Sequence, residues 1–325
     1  MTRLGELIRS EIQRGGPISF ERFMEQALYH PEHGYYLRDK DPFGGEGDFF
    51  TNSQLQPVFG RFIARQIEQW RREMGSPPEF TVVEIGAGRG ETLAEVQKAL
   101  PDVECVAAER GTGSLPGGFT GVVYSNEFFD ALPVRALEKR GTSFTELLVG
   151  LDEERFCWLN AGTPGAALDQ YVNRYAPGLS DGQRLEVNLA ALHELERIAG
   201  ALQRGYVLTI DYGYTAEEIA AGRFPQGSLM AYKRHQAQQD VLAEPGECDI
   251  TAHVNFTALE EKGRDLGLEP LGLRTQARFL LDLGEADQFA GVLAGSEAEA
   301  LRLRLQLKSL LIGMGETFRV LVQRK

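Results

Sequence analysis

The chain has 325 residues, 42% hydrophobic and 25% charged, an ordinary globular composition long enough for one large domain or a domain with an insert. A formal net charge of −13 argues against non-specific binding to nucleic acid or to anionic membrane surfaces. The three cysteines, Cys105, Cys157 and Cys248, form no C-x-x-C pair, and no apolar run approaches a membrane span, so a disulfide framework, a zinc site and membrane insertion are not expected.

Residues 2–30 read as two short amphipathic helices, with Leu4, Leu7, Ile8 and Ile12 at helical spacing and Gly15-Gly16-Pro17 between the two. Glu6 and Glu11 among the basic residues are unlike a transit peptide, and no signal-peptide apolar region is present, so a reducing cytoplasm is the expected location. Next comes a loop dense in aromatics and glycine, from His30-Pro31-Glu32-His33-Gly34-Tyr35-Tyr36 to Gly44-Gly45-Glu46-Gly47-Asp48-Phe49-Phe50-Thr51. Its rings, Tyr35, Tyr36, Phe49 and Phe50, suit either a lid that excludes water from a site or plain core. A helix from about Pro57 to Met74 buries Val58, Phe59, Phe62, Ile63, Ile67 and Trp70, and Ser76-Pro77-Pro78 ends it.

Phe80-Thr81-Val82-Val83-Glu84-Ile85 then reads as a strand, Gly86-Ala87-Gly88-Arg89-Gly90 as a tight turn, and Glu91 onward as a helix start. Glycines bring such a turn close to a ligand, and a helix start offers unpaired N–H groups. A dinucleotide fingerprint needs G-x-G-x-x-G; here the third glycine comes one residue early. Glu84, two residues before the first glycine, suits a cationic amino-acid moiety and repels a pyrophosphate. Strand-Glu-x-Gly-x-Gly-x-Gly resembles motif I of class I S-adenosylmethionine-dependent methyltransferases, with a dinucleotide site and a plain structural turn as the alternatives.

A second strand over Val103–Ala108 ends at Glu109, 21 residues beyond Gly88, where a nucleotide-binding fold places a carboxylate for ribose hydroxyls. Gly121–Ser125 is the next strand and runs into Asn126-Glu127-Phe128-Phe129-Asp130-Ala131-Leu132-Pro133. Residues 144–149 and 155–159 read as a hairpin, 187–203 as a helix, and Tyr206–Ile210 as a buried strand capped by Asp211. The stretch around 214–254 reads as a helical or irregular insert. Residues 255–267 read as a helix, 268–273 as a strand, 285–311 as a helix with Leu303, Leu307 and Leu310 inward, and 317–322 as a last strand. Strands alternating with helices mean an α/β fold with a mostly parallel sheet covered on both faces.

Beyond motif I, long stretches resemble the MidA family of methyltransferases, which includes the mitochondrial complex I assembly factor. They are the His30–Tyr36 run, Gly47–Thr51 with Phe59-Gly60, Glu84–Gly90, Ser125–Pro133, Ile210–Gly213 and Asp249-Ile250-Thr251-Ala252-His253-Val254-Asn255-Phe256. The resemblance implies a Rossmann-like class I methyltransferase core over 76–325, with an N-terminal helical cap over 1–75 and a helical insert. It also implies S-adenosyl-L-methionine as cofactor and a protein arginine as acceptor, with a respiratory-complex subunit as the kind of partner. A small-molecule acceptor, or a catalytically silent scaffold, remains as alternative. Two departures stand out: Ala87 replaces the family's usual proline, and only the eleven residues Arg110–Thr120 separate Glu109 from the next strand. A crossover helix plus a third strand does not fit in that length, so the third-strand region is expected to be truncated.

Methyl transfer to a guanidine needs an in-line approach and carboxylates that orient the fork and accept its proton. Glu127 and Asp130 are the candidate catalytic acids, with helix capping as their structural alternative. His253 is a candidate base or orienting group, or a structural histidine. The cofactor-binding set is Glu84, Gly86, Ala87, Gly88, Glu109 and Asn126, joined by Asp48 and Thr51 of the aromatic loop. Cys248, Asp249 and His253 lack a metal-ligand spacing, and no metal is expected.

Overall fold

The computed structural model describes residues 2–37, 57–110, 115–233, 236–238 and 240–325. Through these the chain forms α1 (Arg3–Gly15), β1 (Ile18–Ser19), α2 (Phe20–Tyr29), α3 (Val58–Glu73), β2 (Thr81–Ile85), α4 (Glu91–Ala99), β3 (Glu104–Ala108) and β4 (Phe119–Asn126). There follow β5 (Arg135–Arg140), β6 (Ser143–Asp152), β7 (Arg155–Asn160), α5 (Ala166–Tyr175), β8 (Arg184–Val187), α6 (Leu189–Ala201), β9 (Leu202–Tyr214) and α7 (Ala216–Ala220). Next are β10 (Met230–Lys233), β11 (Gln236–Gln238), β12 (Asp249–Thr251), β13 (Val254–Asn255) and α8 (Phe256–Asp265). The chain closes with β14 (Glu269–Thr275), α9 (Gln276–Glu285), α10 (Glu297–Lys308), a π-helical turn over Ser309–Met314, and β15 (Phe318–Arg324). No described helix is long and apolar enough to cross a membrane.

Contacts divide the chain into two compact units. A core unit comprises Thr51–Phe129, His193–Gly213 and Leu259–Lys325; an accessory unit comprises Met1–Phe50, Asp130–Leu192 and Tyr214–Ala258.

The core unit holds a mixed sheet in the order β14-β15-β9-β4-β2-β3. β9, β4, β2 and β3 are parallel, and β15 and β14 are antiparallel additions at one side. All five residues of β2 are buried, as a central parallel strand requires. Val82, Val122, Tyr206, Leu208 and Ile210 point to the face covered by α3 and α4 and by the C-terminal helices, where Phe62, Ile67, Val96, Leu280 and Leu303 pack. Trp70 stacks on Tyr206 with ring centroids 4.5 Å apart. Among the described residues only β2 pairs with β3, as the short Arg110–Thr120 segment leads one to expect. The continuous helix expected over 285–311 is instead α9 and α10, separated by residues 286–296, where Gln288 and Phe289 take positive φ.

In the accessory unit β1-β6-β5-β8, with β7 on β6, form an antiparallel sheet. Thr2 and Ser19 cap α1 and α2 by accepting the Gly5 and Arg22 amides, and both helices bury Leu4, Ile8, Phe20 and Phe23 against Ala136, Leu147 and Val149. The insert around 214–254 holds the short helix α7 and long irregular stretches, and to these it adds an unexpected three-stranded antiparallel ribbon, β11-β10-β12. Strands of three or four residues are too short to show an alternating pattern.

Candidate active site

In the core unit the chain passes from β2 to β3 on one side and returns to β4 on the other. Open α/β sheets bind ligands at such a reversal, beyond the carboxyl ends of the strands. The glycine turn lies there. Gly86 donates its N–H to Ala108 O at 2.9 Å and has φ +70°, and a Cβ at this position would sit 2.8 Å from the Phe128 ring. Gly90, at φ 68°, is the left-handed entry to α4. Glu109 folds back over the turn, its Oε1 accepting the Gly88 N–H at 2.8 Å. Burial raises the Glu109 carboxyl above its usual range, while the Gly88 and Ala87 amides oppose that shift.

Glu84 is only 5% exposed, and its Oε2 has no hydrogen-bond partner. Burial pushes this carboxyl up to about 8; Tyr124 and the Leu93 amide act against that, and the charge of Glu109 adds to it. At the end of β4, Asn126 Nδ2 donates to Glu127 Oε1 at 3.0 Å, and the Glu127 N–H donates to Ile210 O at 3.0 Å. Glu127 has φ 52°, a left-handed conformation that is uncommon outside glycine and is often found at functional positions. Fully buried Asp211 braces the segment: its Oδ2 accepts the Phe129 N–H at 2.9 Å and its Oδ1 the Tyr212 N–H at 2.8 Å. Thus Glu84, Gly86, Ala87, Gly88, Glu109, Asn126 and Glu127 all gather at the carboxyl ends of β2, β3 and β4.

Asp130 and His253 belong to the accessory unit. Asp130 is buried, and its carbonyl accepts the Ala252 N–H at 2.9 Å. Tyr36 donates to Asp249 Oδ1 at 2.7 Å, and the charges of Asp249 and Asp130 add to the burial that raises the phenols of Tyr36 and Tyr232. His253 donates its backbone N–H to Ser228 Oγ at 3.0 Å and packs edge-on to Phe224. Burial, then Arg223, lowers its imidazole to about 4, so it is neutral at pH 7 and a weak base. No helix begins after Glu127 or Asp130, which removes the capping alternative for both. Tyr35 is fully buried in the accessory core. Asp48, Thr51, Phe49 and Phe50 lie outside the described residues.

The family model for S-adenosyl-L-methionine-dependent methyltransferases matches residues 106–274. A crystal structure of a bacterial protein from Burkholderia thailandensis, bound to S-adenosyl-homocysteine, is 31% identical, with TM-score 0.87 over 99% of this chain and 92% of that one. The chain belongs to this methyltransferase family. Among curated relatives, the Drosophila melanogaster "Protein arginine methyltransferase NDUFAF7 homolog, mitochondrial" is 28% identical, covering 78% of this chain and 68% of its own. The Homo sapiens "Protein arginine methyltransferase NDUFAF7, mitochondrial" is 27% identical, covering 91% of this chain and 76% of its own.

The residues of this methyltransferase suit the family's cofactor. The buried Glu84 carboxyl keeps one oxygen without a hydrogen-bond partner, a place for a polar group of the ligand. The turn at Gly86 leaves no room for a side chain, and Glu109 is a second acceptor at its rim. Sequence reasoning missed three supporting residues: Tyr124, beside Glu84 in the sheet register, Phe128, which closes on Gly86, and Asp211. Asp211 was legible as a carboxylate at the end of a buried strand. Phe128 and Tyr124 read only as apolar strand and loop.

Proposed function

We propose that this methyltransferase transfers a methyl group to an arginine side chain of a protein. The observation that carries the reading is the likeness, over most of the chain, to relatives named as protein arginine methyltransferases. S-adenosylmethionine, when bound, supplies an electrophilic methyl on a sulfonium. The glycine turn over Gly86, Ala87 and Gly88 gives its backbone close approach to the donor's amino-acid end, with Glu84 as counter-charge for the ammonium. Glu109 accepts from ribose hydroxyls, and Asn126 orients Glu127. The Glu127 carboxylate pairs with the guanidinium and draws off positive charge as a nitrogen attacks. The 31% identical protein solved with S-adenosyl-homocysteine supports the donor half of this reading. Asp130 and His253 are assigned to positioning the acceptor, and Asp48 and Thr51 to the donor, on the family resemblance alone. The same resemblance points to a respiratory-complex subunit as substrate. The three cysteines are free, as suits a reducing compartment such as the cytoplasm, although the curated relatives are named as mitochondrial.

The test is incubation of the purified protein with isotopically labelled S-adenosylmethionine and a cell lysate, followed by peptide mass spectrometry. Labelled methylarginine is expected, and Glu127→Gln should lose transfer while still binding cofactor. Label found only in small molecules would replace the protein acceptor. An absence of label together with an absence of cofactor binding would favour the scaffold.

A further inference from the structure

Glu84 lies on a strand with no exposed residue, yet among the described residues no lysine, arginine or histidine pairs with it. Its register partner across β2 and β4 is Tyr124, whose side chain shares its face. Tyr124 is fully buried, and its hydroxyl also lacks a hydrogen-bond partner in good geometry. Among the described residues every titratable group that acts on Glu84 is an acid, a phenol or a thiol. Tyr124 approaches from β4, Cys105 from β3 and Glu109 from the end of β3, while α4 contributes only the Leu93 amide and the Thr92 hydroxyl near Tyr124. A lone buried carboxylate with no cation is costly, and the usual relief is to keep its proton.

We propose that Glu84 carries a proton in the free protein, positioned by Tyr124, and releases it to solvent when the ammonium of the donor's amino-acid end arrives. This rests on the proposed donor site. The balance is simple: neutral Glu84 and the ligand ammonium become a carboxylate–ammonium pair plus one proton in the buffer. With a free-state value of about 8, about 0.9 proton leaves per ligand bound at pH 7, and affinity rises up to about tenfold per pH unit below 8.

The experiment is calorimetry of S-adenosylhomocysteine binding at pH 7 in phosphate and in imidazole, whose ionisation enthalpies differ. The expected result is a buffer-dependent heat equivalent to nearly one proton released. 5′-Methylthioadenosine, which lacks the amino acid, should bind with no proton release. Glu84→Gln should bind S-adenosylhomocysteine more weakly and without proton release. Tyr124→Phe removes a group that favours the ionised acid, so its affinity–pH curve should shift to higher pH. Infrared difference spectra of the unmodified protein should lose a protonated-carboxyl band when S-adenosylhomocysteine is added, a readout that does not depend on variants folding. Buffer-independent heat for S-adenosylhomocysteine, or an equal proton count for both ligands, overturns the proposal. Failure of both ligands to bind removes the donor-site reading itself, and this inference with it.

Discussion

Gly86→Ala probes how far the turn depends on a missing side chain. At φ +70° an alanine is strained, which costs roughly 1–2 kcal/mol. Its Cβ would also meet Phe128 Cδ2 at 2.8 Å, and overpacking of that kind costs about 1–3 kcal/mol. Together that is about 2–5 kcal/mol, and each 1.4 kcal/mol is about tenfold in an equilibrium constant. If the turn holds its shape, the cost appears as a lower melting temperature. If the turn yields, it appears as weaker cofactor binding, by about thirtyfold or more. Calorimetric Kd for S-adenosylhomocysteine and thermal unfolding, measured on the same preparations, divide the two. Phe128→Ala made in the Gly86→Ala background removes the contact and leaves the backbone strain, so it should recover only part of the lost affinity relative to Phe128→Ala alone. Unchanged Kd and unchanged melting temperature in Gly86→Ala would refute the reasoning.

Glu109→Gln keeps the shape of the rim and removes its charge; the loss of a charged acceptor, worth about 1.5–3 kcal/mol, should weaken cofactor binding by about tenfold or more in the same titration. Asp211→Ala deprives the Phe129 and Tyr212 amides of their acceptor. At about 1–3 kcal/mol for each buried group left unsatisfied, denaturant melts should show a loss of about 2 kcal/mol or more. His253 is neutral when folded down to about pH 4, whereas the unfolded chain protonates it near pH 6.5, so stability should fall as pH drops through that window, by about 3 kcal/mol. Urea melts at pH 7 and pH 4.5 should show a smaller acid loss in His253→Phe; equal losses would show that His253 is not the group responsible.

The strand, glycine turn and helix around Glu84 were readable because a buried parallel strand is an unbroken apolar run and its turn is marked by glycines. The truncation after Glu109 was readable from chain length alone. Where reading failed, the signal was physically weak. α9 opens on Thr275, whose hydroxyl caps Arg278, but its apolar residues are followed closely by Gly284 and a turn, so the periodicity seemed to begin later. The ribbon of β10, β11 and β12 has strands of three or four residues, which leave no pattern to count. Glu127 and Asp130 lie three apart in sequence, one on each side of the point where the chain passes from the core unit to the accessory unit.

The edge position of β3 has a chemical corollary. In the described residues the sheet stops there, so the side on which a nucleotide's base would rest has no further strand to build it up. In the proposed donor site the turn and the two acids serve the amino-acid and sugar portions, and among the described residues no strand beyond β3 stands on the side of the purine. Donors carrying bulky groups on the adenine ring should therefore be admitted with little penalty, whereas changes to the homocysteine tail should be rejected.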